Sequence, residues 1–296
     1  MVMQRADFAD GMAPGLRKLF INKFGDKPLQ YPELFNVNTS KRQYEDDSYV
    51  AGFGFLADKS EGDASTYDDA IQGFDKRYTH ITRSLAYRIS QEMVEDELYG
   101  TIAKFPKALA KSTRSTIETN AADIYNNAFT SGTGGDGSYL GVTTHALVGG
   151  GTQKNILTSA ADLSSTSLEQ ALIDIRATTD DRGLLLNLMP KKLIVAPSNE
   201  WTAMKLLQSV QTPEDANNSI NPAARQGLKL VVNDYLTDSD AWFILCDEHE
   251  LNFFWRVMPD HMKGNDFDTD DAKFKVRARW SNGWSLPWGW FGTPGA

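Results

Sequence analysis

The stretch YEDDSYVAGFGFLADKSEGDASTYDDAIQGFDKRYTHITRSLAYRIS, Tyr44 to Ser90, constrains the fold more than any other. It reads as a strand, a long polar excursion and a returning strand. Tyr49, Ala51, Phe53 and Phe55 alternate with other residues, Gly52 and Gly54 among them, at the period of an extended chain. Ten extended residues reach about 33 Å. A lone two-stranded ribbon is marginally stable in water. Its tip, Asp58 to Phe74, is rich in Asp, Gly and Ser, as turn chemistry requires. Such a ribbon needs a surface to lie on.

The segment before it, residues 1–43, reads as an arm. GLRKLFINKF places Leu16, Leu19, Phe20 and Phe24 at helical spacing between Pro14 and Gly25. These four find no partner within residues 1–43, so the expectation is burial against a neighbouring molecule. After the ribbon, Ser90 starts a short helix, which Gly100 and Pro106 interrupt. A long helix is expected from about Pro106 to Thr130, with Leu109, Thr113, Ile117, Ala121, Ile124 and Ala128 as its buried stripe. Lys107, Lys111, Arg114 and Glu118 form the polar stripe.

From about Leu157 helices and strands alternate. Thr166 and Glu169 suggest a capping box for a helix carrying Leu168, Ala171, Leu172 and Ile175. KLIVAPSNEWTAMKLLQS reads as a buried strand, a proline stop and a Ser198-capped helix with Trp201, Met204 and Leu207 inward. LKLVVN, AWFILC and LNFFWRV follow as strands. The segment MPDHMKGNDFDTDDA is expected to be a loop before a last strand, KFKVRARW.

Enzyme signatures are weak. SGTGGDGSYLG contains G-x-G-x-x-G at Gly132, Gly134 and Gly137, but it follows a helix rather than a strand, so these read as turn glycines. His80, His145, His249 and His261 lack ligand spacing and read as surface or loop residues. Asp266, Asp268 and Asp270 begin like a calcium loop, but Asp271 stands where Gly is needed and Arg277 where Glu is needed. No catalytic, cofactor-binding or metal-binding residue is assigned. The single cysteine, Cys246, rules out an intrachain disulfide framework and reads as core. No apolar run reaches the roughly 18 residues of a membrane span.

Charge is more informative. The net charge is −9, which argues against a dedicated nucleic-acid binder. Between Tyr44 and Asp69 lie eight acids (Glu45, Asp46, Asp47, Asp58, Glu61, Asp63, Asp68 and Asp69) against one base, Lys59. In the last strand Phe274, Val276, Ala278 and Trp280 face one way, and Lys273, Lys275, Arg277 and Arg279 the other. An acidic ribbon and a basic row on one chain suggest contact between copies, since complementary patches steer assembly and fix register.

The order of these features resembles the major capsid proteins of tailed bacteriophages, with wording closest to Mu-like prophage head subunits. The carrying segments are LFNVNTSKRQYEDD, GFGFLADKSEG, YTHITRSLAYRISQEMVEDELYG, TNAADIYNNAF, LIVAPSNE, DYLTDSDAWFIL and RWSNGWSLPWGWFGTPG. The resemblance implies an α+β fold of the Hong Kong 97 capsid type. Its expected parts are an N-terminal arm (1–43), an extended β-hairpin loop (44–89), a peripheral domain with a long spine helix (90–156), an α/β axial domain (157–260), and a return to the peripheral domain with a C-terminal tail (261–296). The implied function is a major head protein, self-assembling into an icosahedral shell around packaged DNA, made in a bacterial cytoplasm and resident in the virion.

The implied partners are other copies in hexamers and pentamers, a separate scaffolding protein, a portal, and double-stranded DNA by weak non-specific contact, with no membrane and no cofactor. The inter-subunit candidates are Leu16, Leu19, Phe20, Phe24, Glu45, Asp46, Asp47, Asp58, Lys59, Glu61, Asp63, Lys273, Lys275, Arg277 and Arg279. Two rivals stand beside this reading: a metal-dependent hydrolase using His and Asp of residues 259–271, and another virion protein such as a tail component.

Overall fold

The computed structural model describes residues 6–96, 100–211, 220–265 and 271–296. The helices are α1 (Ala6–Phe24), α2 (Gln91–Glu95), α3 (Lys104–Asn126), α4 (Ser165–Arg176) and α5 (Glu200–Gln208). The strands up to the middle of the chain are β1 (Asn36–Thr39), β2 (Tyr44–Ala51), β3 (Ile71–Thr79), β4 (Ile81–Ile89), β5 (His145–Ala146) and β6 (Thr152–Gln153). Those that follow are β7 (Pro190–Val195), β8 (Lys229–Val232), β9 (Trp242–Cys246), β10 (Leu251–Asn265), β11 (Ala272–Trp284) and β12 (Trp290–Thr293).

Two four-stranded sheets organise the chain. The first runs β1-β10-β11-β4, the second β12-β9-β7-β8, and β2 pairs with β3 as a separate ribbon. The second sheet is apolar on both faces, which its sequence runs require. Phe243 and Leu245 of β9 point into one core with Ile117, Tyr125, Phe253 and Trp280. Trp242, Ile244 and Cys246 point into another with Leu168, Leu172 and Ile175 of α4 and Leu206 of α5. The first core lies between α3 and the two sheets, so α3 is covered on its apolar face by both.

Several elements differ from expectation for local reasons. Helix α1 begins at Ala6 and carries Pro14 inside it. Helix α3 starts at Lys104, with Pro106 in its first turn, where its missing N–H costs nothing. Glu118, expected on the polar stripe, is 1% exposed. Helix α4 is capped by Ser164 and Ser167 rather than Thr166 and Glu169. Its apolar stripe of Leu168, Ala171, Leu172 and Ile175 is buried as expected. In α5 the Ser198 hydroxyl donates to the Ser239 carbonyl (2.8 Å) instead of capping. Trp201 faces solvent, and Ala203, Leu206 and Leu207 are the inward residues.

The largest difference is at residues 258–265. They continue β10 rather than forming a loop, and β10 pairs antiparallel with β11 along its length. Register shifts between Trp255 and Val257 and between Val257 and Asp260 let Pro259 sit at an irregularity, where no ladder donor is needed. The expected boundary at residue 260 therefore falls inside one strand. LNFFWRV belongs to the first sheet, and β12 of the C-terminal tail returns to the second by pairing with β9. The returning ribbon strand is also two strands: β3 pairs with β2, and β4 pairs with β11. One residue, His80, separates them.

Candidate assembly surfaces

The ribbon begins where β1 leaves the first sheet and ends at His80. Tyr78 packs on Phe254 (5.0 Å between rings) and shares a hydrogen bond with Ser285 (2.6 Å). Ser285 donates in turn to Asp47 (2.5 Å). Tyr49 meets Trp288 edge-on at 5.3 Å. The His80 ring is pinned on both sides, by Ser40 and by Ser281, each at 2.9 Å. Ser40 also donates to Glu45 (2.5 Å). Burial and the Arg279 and Arg256 charges lower the His80 pKa, and Glu45 opposes them. Asp46 takes a two-pronged bond from Arg77 (2.6 and 2.7 Å), which holds its carboxyl below the usual range. Glu45, Asp46 and Asp47 thus have partners in their own chain.

Beyond Ala51 the alternation stops. Phe53 and Phe55 do not continue a buried face; they are 61% and 77% exposed, and Leu56 and Tyr67 are 99% and 95% exposed. Residues 52–70 form a tip without regular strand. Asp68 gathers it by accepting from the Gly54 N–H (2.8 Å) and from the Arg182 guanidinium. The Arg182 bond, with that of Gly54, holds the Asp68 carboxyl low. Asp63 donates its N–H to the Ser60 carbonyl (3.2 Å), making the outermost turn. Asp58, Lys59, Glu61 and Asp63 all lie on this exposed tip.

The last strand alternates as its sequence requires. Phe274, Val276, Ala278 and Trp280 are buried; Lys273 and Lys275 are exposed, and Arg277 and Arg279 half-buried. In register, Lys273 lies opposite Arg88 of β4 and Arg277 opposite Asp260 of β10. Arg279 donates to the His80 carbonyl (3.2 Å), so this row touches the base of the ribbon.

The arm corrects an expectation. Its apolar face is buried, but in its own chain. Leu16 packs with Ile89, Ile102 and Phe274. Phe20 packs with Leu109, Ala110 and Val276. Leu19 and Phe24 are partly buried beside them. The amphipathic helix does need an apolar partner, and the nearest one is the angle between α3 and the first sheet.

Residues 24–36 then form a strap across α3 to the second sheet. Arg114 donates to the carbonyls of Phe24, Lys27 and Pro28. Glu118 accepts from the backbone N–H groups of Gln30 (2.6 Å) and Tyr31 (3.0 Å). Burial raises its pKa, and those two bonds oppose the shift. On the other side, Glu33 takes Lys192 (2.9 Å) and Lys229 (2.7 Å). The sequence placed Arg114 and Glu118 on a solvated face, because nothing local shows that backbone from eighty-odd residues earlier covers it.

The histidines are not surface residues as a group: His80, His145 and His261 are buried. His145 bonds Asp136 through Nδ1 (2.7 Å) and the Leu140 carbonyl through Nε2 (3.1 Å), deep under the glycine turn. Gly132 and Gly137 have positive φ, as turn glycines do. His261 stacks among Phe20, Tyr87 and Phe274. Of the residues in the hydrolase reading, 266–270 lie outside the described residues. Asp260 pairs with Arg17 (3.0 Å), and Asp271 lies 3.8 Å from Arg88. Among the described residues no group of three or more His, Cys, Asp or Glu could hold a metal. None of their helices is long and apolar enough to cross a membrane. Cys246 is buried.

A family model described as "Phage capsid protein" matches residues 73–288, and the chain belongs to that family. Solved structures agree on the fold. The capsid of Cyanophage P-SCSP1u is 10% identical, with 91% of this chain and 89% of that one covered at a TM-score of 0.60. A Mycobacterium phage Che8 chain is 13% identical, with coverage of 91% and 93% and a TM-score of 0.58. The bacteriophage JBD30 capsid, decorated with minor capsid protein trimers, is 12% identical, with coverage of 71% and 92% and a TM-score of 0.59. No curated protein matches by sequence. The fold is the Hong Kong 97 type. The chain is a major capsid protein that forms the shell of a virion from copies of itself, a structural protein rather than an enzyme.

Proposed function

We propose that copies of this chain assemble as hexamers and pentamers, and that the ribbon of each lies on its neighbour. The observation that carries this is the tip: Phe53, Phe55, Leu56 and Tyr67 stand exposed on residues 52–70. Several large apolar side chains exposed on one loop mark an interaction site rather than a folding core. Helix α3, under both sheets, is the spine of the peripheral part; β12-β9-β7-β8 with α4 and α5 is the axial part, facing the capsomer centre. A separate scaffolding protein and a portal complete the head. DNA is held only by weak non-specific contact, in keeping with a net charge of −9. Assembly takes place in the cytoplasm of a bacterial host, and the head is of the Mu-like type.

The test replaces residues 53–69 with a short Gly-Ser linker. The variant should remain folded by circular dichroism and melt near the wild-type temperature. Electron microscopy of cells that supply the remaining head proteins should show no closed shells. Normal shells from this variant would overturn the reading.

A further inference from the structure

The ribbon carries a bulge at Tyr49, and the bulge aims a side chain. The register of β2 on β3 shifts between Ser48 and Val50, so Tyr49 stands out of the ladder. Its ring lies over Gly73 of β3, so closely that a Cβ there would fall 2.4 Å from it, and glycine leaves that space. The ring reaches on to Trp288 (5.3 Å). Its hydroxyl lies near Asp181: burial, with the charges of Asp181 and Asp180, pushes its pKa up to about 12. Asp181 belongs to a tight turn between α4 and β7. The Asp180 carboxylate accepts the N–H groups of Arg182 (2.9 Å) and Leu184 (2.8 Å), and the Asp180 N–H donates to the Leu184 carbonyl (2.8 Å). Asp181 is buried and accepts the Val148 N–H (2.7 Å), which anchors the turn to the loop between β5 and β6. The next residue, Arg182, donates to Asp68 of the ribbon, and Asp68 also accepts the Gly54 N–H from the opposite limb (2.8 Å).

We propose that the turn at residues 178–186 is a bracket that sets the bearing of the ribbon on its own copy, with Arg182 as a positioning residue acting through Asp68. Adjacent residues of one turn meet the ribbon at two places, the bulge near the end of its paired strands and the neck of its tip. A ribbon attached at its root alone can pivot; one held at a second place off its axis cannot. The joint at His80 fixes where the ribbon leaves the first sheet, and the bracket acts beyond Ser48, where the ladder is interrupted. The ribbon is thus aimed before any neighbour is met, and the cost of ordering it falls on folding rather than on association. The consequence for assembly rests on the reading of the ribbon as a contact between copies, whereas the bracket itself is a property of the single subunit.

The experiment places spin labels at two exposed positions, Gln72→Cys on β3 and Ser84→Cys on β4, and reads their separation in the purified subunit by pulsed electron paramagnetic resonance. Cys246 is buried, with its thiol pushed up to about 12, and stays unlabelled. The labelled parent should give one narrow distance distribution. Arg182→Ala should widen it, and so should Asp68→Asn, which keeps an oxygen for the Gly54 N–H. Both act through one bond, so the double variant should be no wider than either. Each variant should melt as the parent does. Without the labels, shell yield in cells supplying the other head proteins should fall by about threefold or more in each. An unchanged distribution overturns the bracket and leaves the aim to the root at His80. A double variant wider than both singles overturns the assignment to one bond. Wider distributions with full shell yield overturn its part in assembly. Absence of shells from the wild-type chain overturns the assembly reading, while the distances still decide the bracket.

Discussion

The arm and the ribbon tip look alike in sequence and behave oppositely in structure. Each carries large apolar residues that its own segment cannot bury. The arm's Phe20 is 2% exposed, held by α3 and the first sheet, and its continuation is strapped down at Glu118 and Glu33. The tip's Leu56 is 99% exposed, and its described ties to the body run through Asp68 and Arg182. An unpaired apolar face therefore states a need without saying whether the chain or its neighbour meets it. The arm is part of the subunit's stability; the tip's large apolar residues stand exposed.

This contrast can be broken in a graded series. The largest effect is expected at Phe20→Ala in the purified subunit. Emptying a fully buried aromatic site costs about 3–5 kcal/mol, visible as a lower denaturation midpoint by urea titration. An unchanged midpoint would return the arm to the inter-subunit class. Next comes Glu118→Ala, which leaves the Gln30 and Tyr31 N–H groups buried without an acceptor. A loss of about 3 kcal/mol is expected, with faster hydrogen exchange over residues 24–36. Loss of stability without faster exchange there would show that the strap is held by its other contacts.

A smaller effect is tied to pH. Burial, aided by the Lys192 charge, depresses the His249 pKa to about 4. Its charged form is disfavoured in the fold, so the unfolded chain binds the proton first. The stability from neutral His249 is whole above about pH 6.5 and is lost as pH falls toward 4, by about 2 kcal/mol after allowance for partial exposure. His80 and His261 are shifted the same way. Melting temperature should fall over this window, and His249→Asn should flatten the profile; an equally steep profile in the variant would assign the effect elsewhere.

The smallest effect belongs to the tip. Phe55→Ser/Leu56→Ser should leave the subunit within about 0.5 kcal/mol of wild type. A clear drop would mean that the tip folds back on its own chain in solution.

What the sequence shows of this fold follows from what is local. WFILC and KLIVAP are legible as strands buried on both faces because their apolar runs are continuous. The alternation of Phe274, Val276, Ala278 and Trp280 is legible because period two has one explanation. Pro259 misleads, since a proline argues for a loop until a register shift in β10 accommodates it. Glu118 and His80 mislead for a deeper reason. Their partners are Gln30 and Tyr31 in one case, and Ser40 and Ser281 in the other. These two polar residues become core residues through such distant pairings, and no period or spacing announces them. The ribbon's acids were legible as a group, but not that Glu45, Asp46 and Asp47 near its base are taken up within the chain while Asp58, Glu61 and Asp63 stand clear.

His80 has a mechanical consequence. The chain passes from ribbon to sheet through this single residue, whose ring is gripped on two sides. Nine residues of strand form a lever of about 30 Å, so a rotation of about 10° at this joint would carry the far end about 5 Å sideways. The grip by Ser40 and Ser281 fixes the aim of that lever near its root, where a small error is magnified most. In the proposed contact between copies, the irregular loop at the far end would take up what error remains. Rigidity at the root and slack at the end are what a repeating contact needs when successive copies must meet at slightly different angles.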